Sequence, residues 1–586
     1  MTRFSVWAPE AEAVGLMTTA EPSPMKALPG GWWEVDLEAA GPGTDYWFVV
    51  DGSEPLPDPR SPWQPEGIEG PSRVVDHGSF TWTDEQWRGC PAPRLSGGAI
   101  YELHTGTFTP EGTFDAAIGR LDHLVDLGVR AVEIMPVNQF SGDHGWGYDG
   151  VFLYAPHHAY GGPDALKRLV DACHQRGLAA ILDVVYNHLG PAGNVLERFG
   201  PYFTARYVTP WGKAVNLDGP FSDEVRRFFI DNAAMWLRDY HFDGLRIDAV
   251  HAIIDTSALH FLEEIVVRAE DLSAAGGRDV VLIAESDLND PRVVRARDLG
   301  GYGLDSVWNE DFHHSLHAVL TGERQGYYED FGSISDIAQC LERGVVYDGR
   351  YSRFRLRRHG RPHTPLHGRS FVGFLQNHDQ VGNRAFGERS AALMSLGRLK
   401  IGAALVLCAP FMPMLFQGEE WAASTPFLYF TDHKDPALGA AVRKGRRAEF
   451  AAFGWRPEAI PDPQDPATFE RSKLQWSEVE EAPHGEILAW HRDLLALRRR
   501  LPDLTDSRLE RVQASFSEED QWLRVRRGAV ELVVNLAPQA AEFRLREGPT
   551  LELGSDPGVC LGGISLKLPA ESVAILSQPG PGRPDR

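Results

Sequence analysis

The sequence predicts a multidomain protein of mixed α/β and all-β class, with a central (β/α)8 TIM barrel between two β domains. Two patterns indicate this organisation. In the middle of the chain short apolar strands alternate with amphipathic helices, whereas at both ends the hydrophobic residues recur with period two. A length of 586 residues allows two to four domains. An open doubly wound sheet is the alternative for the middle, but no glycine-rich phosphate loop follows the first strand.

The first domain is predicted to be a β-sandwich over residues 1–92. This segment lacks helical periodicity and offers short alternating runs such as 31–37 and 45–50, which are separated by glycine and proline clusters.

The barrel is predicted over residues 97–502, with loop insertions. Its first strand follows the change of rhythm at Ala99, and each later strand follows a helical segment. The eight predicted strands are 99–104, 131–136, 179–185, 244–251, 279–284, 306–309, 371–375 and 410–416.

Helices between these strands are predicted from apolar residues at helical spacing. A helix over 114–127 should bury Ile118, Leu121, Leu124 and Val125 and end at Gly128. Three further helices are a segment from Pro163 to Gly177, one capped by Ser222 that leads to Gly244, and a last one over 485–501 that closes the barrel.

Beyond residue 502 the alternation of period two returns. We predict a C-terminal β-sandwich over residues 503–577 and a disordered, proline- and glycine-rich tail over 578–586.

Composition excludes several classes of partner. A formal net charge of -24 disfavours binding to nucleic acid or to an anionic membrane surface. The five cysteines are far apart and form no CxxC pair, which favours a reducing cytoplasm over a disulfide framework or a zinc site. The chain shows neither an apolar leader at its start nor a run of 18 apolar residues, so we expect neither export nor membrane insertion.

The most informative stretch is 244–251, because it sets Arg246 and Asp248 into an apolar strand. Side chains two apart on a strand point to the same side. The pair is therefore either a buried structural ion pair or a nucleophilic carboxylate that its arginine keeps ionised.

Polar residues at the carboxyl ends of the other predicted strands favour the second interpretation. Since these ends meet at one rim of a barrel, Asp248, Glu285 and Asp379 should converge there with neighbouring histidines. A metal site is the alternative, but the strand ends carry neither an HxH nor an HExxH pair, and Arg246 would repel a cation. Glycoside hydrolysis requires such a set of carboxylates more directly, since one attacks the anomeric carbon and another donates a proton.

Four segments resemble the conserved regions of the α-amylase family of glycoside hydrolases, in the same order: 183–188, 244–251, Glu285 and 377–379. The N-terminal sandwich before the barrel resembles the arrangement in isoamylases and branching enzymes. Longer segments are similar to a trehalose-releasing branch of the family over nearly the whole chain; they are 101–108, 146–150, 308–314 and 417–430.

The resemblance implies a substrate and a partner. The substrate would be maltooligosyltrehalose or a related α-glucan, cut at the α-1,4 bond next to its terminal trehalose unit. A maltooligosyltrehalose synthase would be the functional partner. We expect no cofactor, and we find no carboxylate cluster that matches the calcium site of some family members.

The resemblance also implies roles for individual residues. Asp248 would be the nucleophile, Glu285 the general acid and base, and Asp379 a ligand of the sugar ring that favours its distortion. Arg246 would keep Asp248 ionised, while Asp183 orients Arg246. The remaining predicted substrate-binding residues are Tyr148, His188, His251 and His378 around the attacked sugar, and Glu310, Asp311, His313, His314, Gln380 and Asn383, most of them on the leaving-group side.

Two other functions stay open at this point. A glucan branching enzyme would use the same acids but transfer the glycosyl group to another glucan. A non-catalytic carbohydrate-binding protein could share the barrel, although the presence of all three acids argues against it.

Overall fold

The N-terminal part of the chain forms two antiparallel sheets. The computed structural model describes residues 1–18, 21–362, 366–451, 456, 459–546 and 548–578. The first sheet contains Thr2–Trp7, Lys26–Ala27 and Trp32–Leu37, and the second contains Val14–Met17, Ser23–Pro24, Asp45–Val50 and Ser72–Arg73. The rings of Phe4 and Tyr46, one from each sheet, meet at a centroid distance of 4.9 Å. The two sheets therefore share one apolar core.

Eight parallel strands close into a barrel, as predicted. In chain order, barrel strands 1 to 8 are Ile100–Leu103, Ala131–Ile134, Ala179–Val184, Gly244–Ile247, Val281–Ala284, Ser306–Trp308, Phe371–Gly373 and Met412–Phe416. Strand 8 pairs with strand 1 through Met414 and Ile100, which closes the barrel. The alternative of an open sheet is wrong.

Helices surround the barrel and cover the apolar outer sides of its strands. The longer helices are Gly162–Gln175, Ser222–Asp239, Phe261–Gly276, Glu310–Thr321, Ile334–Arg343, Leu396–Leu407, Pro436–Ala451 and His484–Arg500. The shorter ones are Ala92–Leu95, Thr105–Phe108, Phe114–Ile118, Leu121–Leu127, His378–Gly382, Ser390–Leu393 and Pro466–Arg471. No helix among the described residues combines the length and the apolarity that crossing a bilayer requires.

Two of the predicted helices differ in detail. The helix expected over 114–127 is broken into Phe114–Ile118 and Leu121–Leu127, because the chain leaves the helix at Gly119. Val125, on the second piece, is 40% exposed instead of buried. Ser222 is the first residue of its helix and not its cap, which is Phe221 with φ 65°.

The C-terminal part of the chain forms a five-stranded and a three-stranded antiparallel sheet. The first has the order Val512–Ser517, Trp522–Arg527, Val530–Asn535, Ser572–Ser577 and Thr550–Gly554, and the second the order Ala541–Arg544, Ser565–Leu568 and Cys560–Gly562. The boundaries at 92, 97 and 502 stay predictions. Of the predicted tail over 578–586, all but Gln578 lies outside the described residues.

Three short hairpins extend from the barrel loops. They pair Asn138–Gln139 with Phe152–Pro156, Phe203–Thr209 with Gly212–Val215, and Asp348–Ser352 with Arg357–Gly360.

The period of two along the barrel strands places charged residues at the upper end of the interior. Ile100, Ala131 and Ile181 belong to one buried apolar cluster. Two residues further along the same strands stand Glu102, Glu133 and Asp183, all at most 1% exposed. Because side chains alternate between the two faces of a strand, these carboxylates point toward the barrel axis below its rim. The barrel therefore carries a buried charged layer directly under the site.

Candidate active site

The fully buried guanidinium of Arg246 on strand 4 organises the site. Its Nη1 donates to both carboxylate oxygens of Asp183, at 2.9 and 2.8 Å, and to Oδ1 of Asp248 at 2.8 Å. The ring of Trp308 lies 4.2 Å from the guanidinium carbon. A buried charge is costly unless it is paired, so the two aspartates and the indole face hold Arg246 in one position. The structural role predicted for Asp183 agrees with this geometry.

Glu285 follows strand 5 and lies beside Asp248. Its Oε2 is 3.7 Å from Nη2 of Arg246 and accepts a hydrogen bond of 2.6 Å from the backbone N–H of Ala249. That N–H is available because Ala249 leaves the strand with φ 41° and ψ 51°, a left-handed conformation that is uncommon for alanine. The carboxyl groups of Asp248 and Glu285 thus share one guanidinium at the end of neighbouring strands.

Burial is the main cause that raises the pKa of Glu285, to about 8, and the nearby charges of Asp248 and Asp379 act in the same direction. Arg246 opposes this shift. Glu285 is therefore protonated at neutral pH, whereas Asp248 is paired with a cation.

Asp379 approaches the same two acids from the end of strand 7. Its side chain is 43% exposed, and its Oδ1 accepts a hydrogen bond from Nδ2 of Asn383 at 3.2 Å. His378 precedes it, and Nε2 of that histidine lies 3.6 Å from Oδ1 of Asp379. The ring of Tyr148 stacks on that of His378, with centroids 5.0 Å apart, and its hydroxyl donates to Asp183.

A cavity of about 380 Å³ opens between these groups. It is large enough for one sugar ring and combines carboxylates with aromatic faces, as carbohydrate sites require. The residues that line it are Trp146, Tyr148, Asp149, His188, Trp211, Asp248, Ala249, His251, Glu285, His378, Asp379, Tyr429 and Thr431. The predicted residues Asp248, Glu285, Asp379, Tyr148, His188, His251 and His378 therefore meet at one cavity.

The residues predicted for the leaving-group side divide into two sets. Glu310 accepts a hydrogen bond of 2.7 Å from Nε2 of Gln380, and its Oε2 lies 3.6 Å from Nε2 of His314. Burial raises the pKa of Glu310 well above its ordinary value and lowers that of His314 to about 3, so it favours the neutral form of both groups. Asn383 donates to Asp379, and Glu310 lies close to Glu285 and Asp379. This first set of residues therefore lies beside the predicted catalytic acids.

Asp311 and His313 are placed differently from their prediction as substrate ligands. Oδ2 of Asp311 accepts from Val346 N at 2.8 Å, from Tyr347 N at 2.7 Å and from Nδ2 of Asn289. His313 uses Nδ1 for the carbonyl of Leu375 and Nε2 for the hydroxyl of Tyr328. Both side chains are at most 3% exposed. We correct the prediction for these two residues, because their hydrogen bonds fasten loops of the barrel.

Sequence reasoning missed several residues of the cavity. Trp211 stacks on His188 with a centroid distance of 4.5 Å, from the turn of the hairpin over 203–215. Asp149, the neighbour of the predicted Tyr148, also lines the cavity. An exposed tryptophan in a turn is a signal that could have found Trp211, whereas nothing in the identity of Ala249 indicates its conformation.

The donors of the site suit a sugar better than a metal ion. Among the described residues, no three side chains of His, Cys, Asp or Glu are arranged to hold a metal together. The acids of the site are instead directed at Arg246, at backbone N–H groups and at the cavity.

Comparisons with known proteins identify the family of the chain. A family model described as "Alpha amylase, catalytic domain" matches residues 78–200, and one described as "Domain of unknown function (DUF3459)" matches 507–575. A solved structure titled as a putative alpha amylase from Salmonella typhimurium is 38% identical and superimposes with a TM-score of 0.88, covering 98% of this chain and 97% of that one.

Curated relatives match over nearly the full length. The malto-oligosyltrehalose trehalohydrolase of Arthrobacter ramosus is 51% identical, covering 98% of this chain and 99% of that protein. The protein of the same name from Rhizobium sp. (strain M-11) is 48% identical, covering 98% and 97%. The chain therefore belongs to the malto-oligosyltrehalose trehalohydrolase family, within the α-amylase group of glycoside hydrolases.

Proposed function

We propose that the protein is a retaining glycoside hydrolase that cleaves the α-1,4-glucosidic bond next to the terminal trehalose unit of maltooligosyltrehalose. The products are trehalose and a maltooligosaccharide. The observation that supports this proposal is the pair of Asp248 and Glu285 at the barrel mouth. Both carboxyl groups lie within 4 Å of the guanidinium of Arg246, and burial favours the protonated form of Glu285. The identity of the leaving group, trehalose, is inferred from the names of the relatives in this family.

The first half of the reaction forms a covalent intermediate. A carboxylate oxygen of Asp248 attacks the anomeric carbon of the glucose in the cavity while the bond to the trehalose oxygen breaks. The carboxyl proton of Glu285 moves to that oxygen, so trehalose leaves as a neutral alcohol. Arg246 balances the charge of Asp248 before the attack and that of Glu285 after proton transfer, since it lies close to both.

The second half returns the enzyme to its starting state. The carboxylate of Glu285 takes a proton from a water molecule, whose oxygen attacks the anomeric carbon as the ester bond to Asp248 breaks. Glu285 regains its proton and Asp248 its charge. Two inversions leave the new reducing end in the α-configuration.

The other residues of the cavity hold the sugar. Asp379 accepts hydrogen bonds from ring hydroxyls, His188 and His378 donate to them, and Tyr148 lies under the ring. His251 is exposed at the cavity edge, and Glu310, His314, Gln380 and Asn383 flank the acids where the trehalose unit would lie.

Product chromatography tests the proposal. Purified protein is incubated with maltopentaosyl-trehalose and, separately, with maltoheptaose. We expect rapid release of trehalose from the first substrate and little change in the second, because a trehalose unit is present only in the first. Formation of longer, branched glucans without free trehalose would instead identify a branching enzyme. If neither substrate changes, the protein would be a non-catalytic carbohydrate-binding protein.

We also propose a cytoplasmic location and a supply of substrate by a maltooligosyltrehalose synthase. All five cysteines are free thiols, four of them buried, which suits a reducing compartment. Cell fractionation with an antibody to the protein tests the location, and deletion of the synthase should remove the substrate from cell extracts.

A further inference from the structure

Glu102 on barrel strand 1 makes two hydrogen bonds to one residue of the site. Its Oε2 accepts the backbone N–H of His378 at 3.0 Å, and its Oε1 lies 2.5 Å from Nδ1 of the same residue. Both side chains are 1% exposed. The carboxylate of Glu102 thus links the first strand to the end of the seventh through two hydrogen bonds, one to the backbone and one to the ring of His378.

The ring of His378 is fixed on its other sides as well. Tyr148 stacks on it at 5.0 Å, the edge contact with Trp146 has a centroid distance of 5.6 Å, and Trp308 lies at 6.0 Å. Since Nδ1 faces Glu102, the opposite nitrogen, Nε2, faces Asp379 and the cavity. This ring has one orientation available, and only Nε2 can reach a substrate.

We propose that Glu102 is a positioning residue of the proposed trehalose-releasing reaction: it fixes the ring of His378 and holds it as an imidazolium whose Nε2–H points at the bound sugar. A neutral ring could carry its proton on either nitrogen. With a carboxylate at Nδ1, that nitrogen keeps its proton, and the cation then has a second N–H at Nε2. The donor to the sugar therefore depends on a residue that does not touch the sugar.

The charges around His378 are predominantly negative and favour the cation. Burial alone would lower the pKa of His378, but Glu102 and Asp379 together raise it to about 9, against the opposing charge of Arg246. The titratable groups that face the ring from the surrounding elements are Glu102, Glu133, Asp183, Arg246, Asp379, Tyr148 and His104.

Glu133 offers a matched control. It stands opposite Glu102 in the neighbouring strand and is equally buried. Among the described residues neither of its oxygens meets a hydrogen-bond donor, and burial together with Glu102 keeps its pKa well above the ordinary value. Because burial favours the neutral form of Glu133, Glu133→Gln keeps both the shape and the favoured charge of this side chain.

The experiment compares pH profiles of kcat for trehalose release by wild type, Glu102→Gln and Glu133→Gln between pH 5 and 9. Without the carboxylate, the pKa of His378 should fall to its ordinary value of about 6.5 or below. We expect the ratio of the Glu102→Gln rate to the wild-type rate to fall by a factor of about ten between pH 5.5 and 7.5. Over this range the imidazolium fraction of His378 falls by that factor in the variant and hardly changes in wild type. Glu133→Gln should keep a constant ratio to wild type.

A constant ratio for Glu102→Gln across the pH range would overturn the proposal, since a purely structural role would lower the rate equally at each pH. The second measurement does not depend on activity. In wild-type protein labelled with ¹⁵N at histidine, the ring nitrogens of His378, assigned by comparison with His378→Gln, should report an imidazolium at pH 7.5. A neutral ring at that pH would overturn the proposal even if no trehalose is released, so its failure is separable from that of the proposed function.

Discussion

Arg246 shows how a single buried residue sets the chemistry of its neighbours. Its guanidinium is close to Asp183, Asp248 and Glu285, yet the three carboxyl groups differ in environment. Asp183 and Asp248 take direct hydrogen bonds from Nη1, whereas Glu285 lies 3.7 Å from Nη2. Burial raises the pKa of the more distant acid, Glu285, to about 8, whereas Asp248 accepts a direct hydrogen bond from the cation. This difference suits the two proposed roles in a double displacement, a proton donor and a nucleophile.

Replacing Glu285 by glutamine tests the acid role. The amide has the same shape but cannot donate the proton that trehalose needs as it leaves, so kcat should fall by about 10²–10⁴-fold. With an α-maltosyl fluoride as substrate, whose leaving group needs no proton, the first step should be nearly normal. Retention of wild-type activity on maltooligosyltrehalose would contradict the assignment.

The pH dependence of the wild-type enzyme follows from the same group. As the proposed general acid, Glu285 can act only while protonated, and burial raises its pKa to about 8. Activity should therefore be nearly constant at neutral pH and decrease as the pH rises through about 8. Initial rates of trehalose release in buffers of constant ionic strength measure this decrease at alkaline pH. A decrease centred near pH 5 would show that Glu285 has an ordinary pKa.

Among single residues, the sequence indicated which acids meet at the barrel mouth, because strand ends are local signals. Their catalytic roles stay predictions. It did not separate Glu310 from Asp311, which are adjacent and both polar. Only the fold shows that the carboxylate of Asp311 accepts hydrogen bonds from the backbone N–H groups of residues 346 and 347. The contact depends on a loop far along the chain, which no local pattern reports.

Among the elements, the helix His484–Arg500 fastens the lower end of the barrel. Arg498 on this helix is fully buried, and its guanidinium donates to the carbonyls of Ser96, Leu407, Ala409 and Phe411. Two of these carbonyls, Leu407 and Ala409, lie at the end of the helix Leu396–Leu407. The arginine therefore supplies donors to backbone groups that the helix itself cannot satisfy.

Substitution of Arg498 by methionine should lower the free energy of unfolding by about 2–4 kcal/mol, since buried carbonyls lose their donors. Its exposed neighbour Arg499 donates to Gly128, and Arg499→Met should cost less than about 1 kcal/mol. Urea unfolding followed by circular dichroism measures both variants. Equal stability of Arg498→Met and wild type would show that these hydrogen bonds contribute nothing net.

The elements that the sequence predicted well are those with strong periodicity. All eight barrel strands were located because each is a short apolar run. The hairpin over 203–215 was missed, since its exposed strands show no regular apolar alternation. Its turn nevertheless brings Trp211 to the cavity.

For the whole molecule, the barrel and its flanking β regions follow from the change of hydrophobic period along the chain. The meeting of Asp248, Glu285 and Asp379 follows from barrel closure, because strands 4, 5 and 7 end at one rim. What the sequence pattern cannot report is the position of each side chain around Arg246, which depends on burial and on contacts between distant segments. The function rests on that arrangement.

Trapping the glycosyl intermediate in the Glu285→Gln variant with an α-maltosyl fluoride tests the proposed nucleophile directly. Without the base, the ester should accumulate, since water is no longer activated to hydrolyse it. Mass spectrometry of the digested protein should then find one added maltosyl group on the peptide that contains Asp248. An adduct on another carboxylate, or turnover of the fluoride with inversion and no adduct, would contradict the assignment of Asp248 as nucleophile.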